Sequence, residues 1–235
     1  MKPDAGEILD LDGDEIADSV VRPEDVLTPE ELRVILSVAQ PGRERALLMT
    51  VALTGLRAGE FLGLRWPDID LETGQLHVRR KLTWAKRPGE HPWGKRYEPR
   101  FFRPKTTAGV RTIPMPSELV SELRRWKLQC PHSELDLVFP NLKGGAEHEK
   151  NVLQGMLWPI LKRAKVRRVS MKCLRHTFAS MLILKNTPVS EVQCYMGHAT
   201  PAITLTVYTH WFKNRRTGVL DRLAEELMPS IGQGR

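Results

Sequence analysis

The chain has 235 residues, of which 41% are hydrophobic and 27% charged, with a formal net charge of +8. This composition excludes a disordered chain and suits one ordinary domain, or two small ones, with a real core. The longest apolar stretch, 46–56, contains two Thr and a Gly and is too short to span a bilayer. The acidic N-terminus does not resemble a secretory signal, and no G-x-x-x-x-G-K-[ST] motif supports nucleotide hydrolysis.

The cysteine pattern bears on cofactors and compartment. Cys130, Cys173 and Cys194 form no C-x-x-C pair and leave one thiol unpaired. We therefore expect no disulfide framework and no zinc cluster, and a reducing cytoplasm fits the sequence. We also expect no cofactor and no metal, because no cluster of carboxylate, Cys or His residues has the spacing of metal ligands.

Charge is unevenly distributed along the chain. Residues 1–31 carry a net charge of −9, whereas residues 32–235 carry +17. The bases concentrate in the segments 79–111 and 162–175. Segregated positive charge is typical of proteins that bind a polyanion, because neutralised phosphates release their counterions. A solvated basic surface is the ordinary alternative, so the charge favours nucleic acid without specifying any chemistry.

Helices dominate the predicted elements. Residues 1–27 read as an acidic arm, and a helix begins at Thr28, which can cap it while Glu31 completes a capping box. Further helices follow at about 44–53, from Ala58, at 117–129, at 149–165 with a kink or break at Pro159, at 171–184, at 189–196, at 202–208 and at 219–228.

The predicted strands are fewer. One strand covers 76–82, and a hairpin joins strands at 101–105 and 110–115 through the turn 106–109, with 84–100 as a long exposed loop. The fold class is therefore α+β, mostly helical with one small antiparallel sheet.

Three short segments contain candidate functional residues. Arg57 follows Gly55 at a helix junction, and Glu60 can hold backbone amides or orient the guanidinium. Lys172 and Arg175 lie three apart on a helix, so they share a face and favour an anion between them. The ordinary alternatives are a helix-start arginine and a solvated basic face.

The third segment lies near the end of the chain. Gly197 suits a helix C-cap and places His198 at the end of that helix. Tyr208 is one of three tyrosines. The ordinary alternatives are a capping histidine and a tyrosine packed in the core.

Taken in order, these segments resemble the tyrosine recombinase (phage integrase) family of site-specific DNA recombinases. The family's first box, T-G-L-R-x-x-E-x-x-x-L-x-W-x-D, is found at 54–68. The second, H-x-L-R-H-T-x-A-[ST], is matched at 172–180 with Lys172 in place of the first histidine, and the third at 196–210. The hairpin pattern P-K-T…R-x-[IV]-P is matched at 104–114, so the resemblance covers roughly residues 28–228.

The resemblance implies a tyrosine-recombinase catalytic domain at 28–212, followed by a C-terminal linker and helix at 213–235. Tyr208 would attack the scissile phosphate and form a 3′-phosphotyrosyl link without ATP or metal. Two arginines can grip phosphoryl oxygens bidentately, and a lysine can protonate the leaving 5′-oxygen. The implied catalytic residues are Tyr208, Arg57, Arg175, Lys105, His198 and Lys172, with Glu60 and His176 in supporting positions.

The resemblance also implies partners. The family acts on double-stranded DNA as a tetramer, and we expect a monomer without DNA and no membrane association. The helix at 219–228 either packs between protomers or docks on its own subunit. Two other functions remain open at this point: type IB topoisomerase-like relaxation of DNA, and a catalytically silent DNA-binding accessory protein.

Overall fold

A computed structural model of the protein describes residues 21–87, 97–104 and 106–209. The helices within these ranges are α1 (Pro29–Val38), α2 (Arg43–Thr54), α3 (Ala58–Leu62), α4 (Ser117–Lys127), α5 (Glu149–Val152), α6 (Trp158–Ala164), α7 (Met171–Leu184), α8 (Val189–Met196) and α9 (Pro201–Val207). The strands are β1 (Ile69–Asp70), β2 (Gln75–Val78), β3 (Lys81–Lys86), β4 (Tyr97–Phe102) and β5 (Arg111–Pro114). The predicted α+β class is confirmed. None of the helices in this described part is long and apolar enough to cross a membrane.

The first helix starts as its sequence predicts. The Glu31 amide donates to Thr28 Oγ1 at 3.1 Å, and the Thr28 amide donates to Glu31 Oε2 at 2.8 Å. Pro29 occupies the first turn, where its missing N–H is not needed. This reciprocal capping box satisfies two otherwise unpaired donors at the helix end and confirms the predicted boundary.

The strand pairing differs from the prediction. Strands β1, β2 and β5 form one antiparallel sheet, with Leu76 opposite Ile113, whereas β3 and β4 form a second, with Leu82 opposite Phe101. The predicted strand over 76–82 is therefore interrupted at 79–80, and the predicted hairpin between 101–105 and 110–115 is wrong. The described residues contain two small sheets where one was expected.

The reason lies in the partner of β4. This strand pairs with β3, which precedes it along the chain, so the segment 84–100 that we predicted as a loop has strand at both of its ends. The turn signal at 106–109 forms a 3-10 turn at Thr107–Gly109 instead of a hairpin bend. A local turn signal does not fix which strands pair, because pairing depends on contacts distant in sequence.

The helix predicted over 149–165 does not break at Pro159 but changes its hydrogen-bond pattern just before it. Residues Leu153–Leu157 form a π-helical turn between α5 and α6, and Pro159 occupies the first turn of α6. Proline has no N–H to donate to the preceding turn, and a wider turn accommodates its ring. The stretch 149–164 thus stays helical throughout while changing its hydrogen-bond pattern before the proline.

Two groups of buried residues form the interior. The larger contains side chains from α1 to α6 and the three-stranded sheet, such as Ile35, Leu47, Phe61 and Leu119. The smaller lies where α7, α8 and α9 meet, and it contains Val21, Ala179, Ile183, Val192, Met196, Val207 and Tyr208. Helix α7 packs against both α2 and α8. It therefore connects the two groups and positions the residues described next.

Residues 21–27, which the sequence assigns to the arm, pack against the interior, with Val21 in the smaller group and Leu27 in the larger. The Val21 amide donates to the Val207 carbonyl at 2.8 Å, and the Leu27 amide donates to Thr177 Oγ1 at 2.9 Å. The domain boundary at 27/28 stays a prediction. The predicted helix at 219–228 lies outside the described residues.

Candidate active site

Arg57 lies at the junction of α2 and α3. Gly55 ends α2 in the left-handed conformation, with φ of +61°, and a Cβ built there would lie 2.4 Å from the Phe178 ring. Only glycine fits this turn without strain. The chain then enters α3 with Arg57 as its N-cap residue, as the sequence predicted.

Glu60 contacts Arg57 in both of the predicted ways. The Arg57 amide donates to Glu60 Oε2 at 2.9 Å, and Arg57 Nη1 lies 3.1 Å from Glu60 Oε1. The carboxylate is only 5% exposed. Burial raises its pKa, but the positive charges of Arg111 and then Arg57 lower it by more than burial raises it. The pKa of Glu60 therefore falls to about 2. Glu60 is therefore ionised at neutral pH and compensates the charge of its two arginine neighbours.

Arg175 is buried in the centre of the site. Its Nη1 donates to the Gly55 carbonyl and its Nη2 to the Met196 carbonyl, so one side chain joins the first box to the third. Burial, followed by the charge of Arg57, lowers the pKa of Arg175 to about 9, which leaves the group charged at neutral pH. Lys172, which we expected on the same face, is exposed. The two cations therefore differ in environment because the helix buries position 175 and not position 172.

His198 lies at the end of α8, as predicted. Gly197 caps the helix with φ of +62°, and His198 Nδ1 lies 2.8 Å from Thr204 Oγ1. Burial lowers the pKa of His198 to about 2, with further lowering by the positive charges of Arg175 and Arg57. The imidazole is therefore neutral at physiological pH, and Nε2 is its second hydrogen-bonding nitrogen.

Tyr208 is fully buried among the smaller group of apolar residues. Its hydroxyl lies 2.9 Å from His176 Nδ1. His176 lies one turn after Lys172 in α7. Lys172 and His176 line a cavity of about 310 Å³, together with Arg22 and Asp25. His176 therefore binds the tyrosine hydroxyl. The two residues lie 32 positions apart, and no local sequence pattern predicts the contact.

Two further residues complete the comparison with the sequence. Lys105 lies outside the described residues. Arg111, in β5, was recognised only as part of the basic segment and the hairpin pattern, yet its guanidinium contacts both Glu60 oxygens. The available signal was the arginine of P-K-T…R-x-[IV]-P, which lies within the predicted strand 110–115.

The arrangement places a buried arginine directly before the residue that binds the tyrosine hydroxyl. The pKa of Arg175 is lowered by burial and by the charges of Arg57 and Arg111, and it is raised by those of Glu60 and Tyr208. Guanidinium groups beside a neutral imidazole can stabilise the oxygens of a phosphoryl group, and a nearby hydroxyl can act as nucleophile. Within residues 21–87, 97–104 and 106–209, no group of three His, Cys, Asp or Glu side chains could hold a metal ion.

Comparison with known proteins gives a consistent result. The model of the phage integrase family matches residues 25–215. A tyrosine recombinase XerC-like protein of Caldanaerobacter subterraneus subsp. tengcongensis is 29% identical over 211 residues, which cover 85% of this chain and 54% of that protein. The prophage integrase IntR of Escherichia coli is 27% identical over 210 residues, covering 80% of this chain and 47% of that protein.

A solved structure shares the fold. The Tn1549 transposon integrase in complex with circular intermediate DNA superposes with a TM-score of 0.69 at 23% identity, covering 88% of this chain and 68% of that one. The chain spans about half the length of the two relatives compared by sequence.

Proposed function

The chain belongs to the phage integrase family, and from that premise we propose that it is the catalytic domain of a site-specific DNA recombinase. The Tyr208 hydroxyl attacks the scissile phosphorus of double-stranded DNA, and the bond from phosphorus to the 5′-oxygen breaks. The products are a 3′-phosphotyrosyl link and a free 5′-hydroxyl. The energy of the broken bond is kept in the covalent link, so the hydroxyl of a second strand can reverse the step without ATP.

The main support for this proposal is the position of the Tyr208 hydroxyl next to His176. The Tyr208 hydroxyl is hydrogen-bonded to His176 at 2.9 Å, and His176 directly follows Arg175. The Arg175 guanidinium contacts two carbonyls, each of which lies two residues before Arg57 or His198. A hydroxyl, two arginines and a neutral imidazole thus come from three separate parts of the chain. A merely structural tyrosine would not require buried arginines beside the residue that binds its hydroxyl.

The residues take the following roles in the proposal. Arg57 and Arg175 bind the non-bridging oxygens of the phosphate, because a guanidinium can donate to two oxygens at once. His198 is neutral and donates from Nε2 while Nδ1 is held by Thr204. Lys105 protonates the leaving 5′-oxygen, and the exposed Lys172 binds phosphate.

Assembly belongs to the proposal as well. We infer that residues 28–212 form the catalytic domain and that four copies act together on DNA, with a monomer in its absence. The relatives are named as recombinases and integrases, and one solved relative was bound to DNA, which favours strand exchange over relaxation alone or silent binding.

A nicked DNA substrate tests the proposal. Cleavage next to the nick releases a short fragment, so the covalent adduct accumulates and is seen as a shift in a denaturing gel. The wild-type protein should form it, and Tyr208→Phe should form none while keeping its fold. Tyr195→Phe is the matched control, because the Tyr195 hydroxyl is bonded to the exposed Glu191 at 2.7 Å. An adduct in Tyr208→Phe, or none in the wild type on any DNA carrying its recombination site, would refute the proposal.

A further inference from the structure

Arg111 is buried in the site, and its guanidinium makes four hydrogen bonds to oxygens of the protein. Its side chain is 6% exposed. Nη1 and Nη2 donate to Glu60 Oε1 at 3.0 Å and Oε2 at 2.8 Å, while Nε donates to the Tyr195 carbonyl at 2.8 Å. Nη1 also lies 3.3 Å from the Gly109 carbonyl. The guanidinium therefore joins α3, the C-terminal end of α8 and the turn that precedes β5.

These contacts leave Arg111 poorly placed to bind a phosphate itself. A guanidinium has five N–H donors in a planar fork, and four contacts of Arg111 already go to oxygens of the protein. Its effect on a bound phosphate must therefore pass through other residues. The first route is Glu60, whose Oε1 is shared between Arg111 and Arg57.

A second route leads to His198. Arg111 holds the Tyr195 carbonyl in the last turn of α8, and a Cβ on Gly197 would lie 2.7 Å from Arg111 Nη1. The guanidinium thus packs against the left-handed residue that directs the chain into His198. Arg57 Nη2 approaches the carbonyl of the same glycine at 3.5 Å.

From these contacts we propose that Arg111 is a positioning residue, which fixes Arg57 through Glu60 and the His198 turn through Tyr195 and Gly197. The inference rests on the proposed function, since it concerns the geometry of the phosphate-binding groups. It also ties the end of α8 to β5, six residues after Lys105 in the chain. Small displacements of groups that contact a reacting phosphate slow the chemical step strongly even where substrate binding is preserved.

The test is single-turnover cleavage of the nicked substrate at saturating DNA, combined with a separate measurement of DNA affinity. Arg111→Lys keeps the charge but cannot bridge a carboxylate and a carbonyl in one plane. We expect cleavage to slow by about 30-fold or more while the dissociation constant for DNA changes less than about twofold, as an interaction used in the transition state requires. Arg65→Lys is the matched control, because Arg65 also joins a carbonyl, of Leu135, to a carboxylate, of Asp136, in another part of the fold.

A double-mutant cycle separates positioning from loss of stability. In a Glu60→Gln background the link to Arg57 is already weakened, so adding Arg111→Lys should slow cleavage much less than it does in the wild type. All rates are compared well below the melting temperature of each variant. Three results would each overturn the inference. In the first, the cleavage rate of the double variant falls by the product of the two single effects. In the second, Arg111→Lys cleaves at the wild-type rate, and in the third it binds DNA more weakly while cleavage is unchanged. Absence of adduct in the wild-type protein would instead refute the proposed function.

Discussion

At the scale of single residues, the buried carboxylate of Glu60 determines how the site responds to acid. Its pKa is lowered to about 2 in the folded protein, below its ordinary value of 4.5. The unfolded chain therefore takes up a proton first as the pH falls. The ionised carboxylate stabilises the fold above about pH 4.5, and this stabilisation is lost progressively between that pH and 2.

Glu60→Gln tests this dependence. At pH 6 to 7 the variant should be less stable than the wild type by roughly 3 kcal/mol, which corresponds to the shift of the pKa. The difference should shrink steadily as the pH is lowered from 5 to 3, measured by urea unfolding at each pH. The lowered pKa of His198 destabilises both proteins below about pH 6.5, and it therefore cancels in the difference. A difference that stays constant with pH would contradict the assigned charge state.

The two arginines proposed to bind phosphate give a second prediction at this scale. Arg57→Ala and Arg175→Ala should each lower the single-turnover cleavage rate by more than about tenfold, or roughly 1.4 kcal/mol at the barrier. Arg33→Ala is a suitable control, because the Arg33 side chain is 73% exposed and pairs with the exposed Glu30 at 4.0 Å. An arginine whose removal changes the rate by less than this does not belong to the site.

At the scale of elements, the turn between α2 and α3 depends on Gly55. Alanine at this position would need φ near +61° and would place its Cβ 2.4 Å from the Phe178 ring. We expect Gly55→Ala to lower the free energy of unfolding by about 2 kcal/mol or more, through backbone strain and overpacking. Guanidinium chloride unfolding measures the change.

Gly155→Ala is the matched control for that experiment. A Cβ at Gly155 meets nothing within 4 Å, and the residue lies in the π-helical turn before α6. Alanine should therefore leave the stability unchanged or raise it by up to about 1 kcal/mol. A loss at Gly155 equal to that at Gly55 would show that the general cost of replacing glycine, and not the contact with Phe178, determines the result.

The ends of the helices were predictable from the sequence, whereas one strand pairing was not. The cap at Thr28, the glycine ends of α2 and α8 and the bounds of α7 were predictable, because each depends on residues within one or two turns. The pairing of β4 with β3 was not, since the turn residues at 106–109 gave a local signal for a different hairpin.

In the site, too, the sequence predicted individual residues but not the contacts between them. The motifs identified Arg57, Arg175, His198 and Tyr208 as candidates. The structure joins Arg175 to the turns that precede Arg57 and His198, and it bonds Tyr208 to His176, the residue after Arg175. The hydrogen bond from Tyr208 to His176 and the contacts of Arg111 with Glu60 join residues 32 and 51 positions apart. No periodicity or cap predicts such contacts, because they depend on how helices and strands pack.

At the scale of the whole molecule, charge separation predicts how salt affects DNA binding. Residues 1–20 contain seven acids and one base, whereas the part of the chain from residue 32 onward carries +17. If the acidic segment competes with DNA for the basic surface, deleting residues 1–20 should tighten binding at low salt, with a smaller gain at high salt. Filter binding over a range of salt concentrations measures this, and unchanged or weaker binding would contradict competition. The deletion ends at residue 20 because Val21 is part of the buried interior.

The hydrogen bond between Val21 and Val207 has a consequence for local opening. It joins positions 186 residues apart, and Val207 directly precedes Tyr208, whose own amide donates to the Thr204 carbonyl at 3.1 Å. Val21 and Tyr208 belong to the same buried group, so we expect that detachment of the segment 21–27 also loosens the packing around Tyr208 and that the two regions open as one cooperative unit. Amide hydrogen exchange should then report equal opening free energies for Val21 and Tyr208. We therefore expect exposure of the tyrosine to solvent to be coupled to detachment of a segment nearly two hundred residues earlier in the chain.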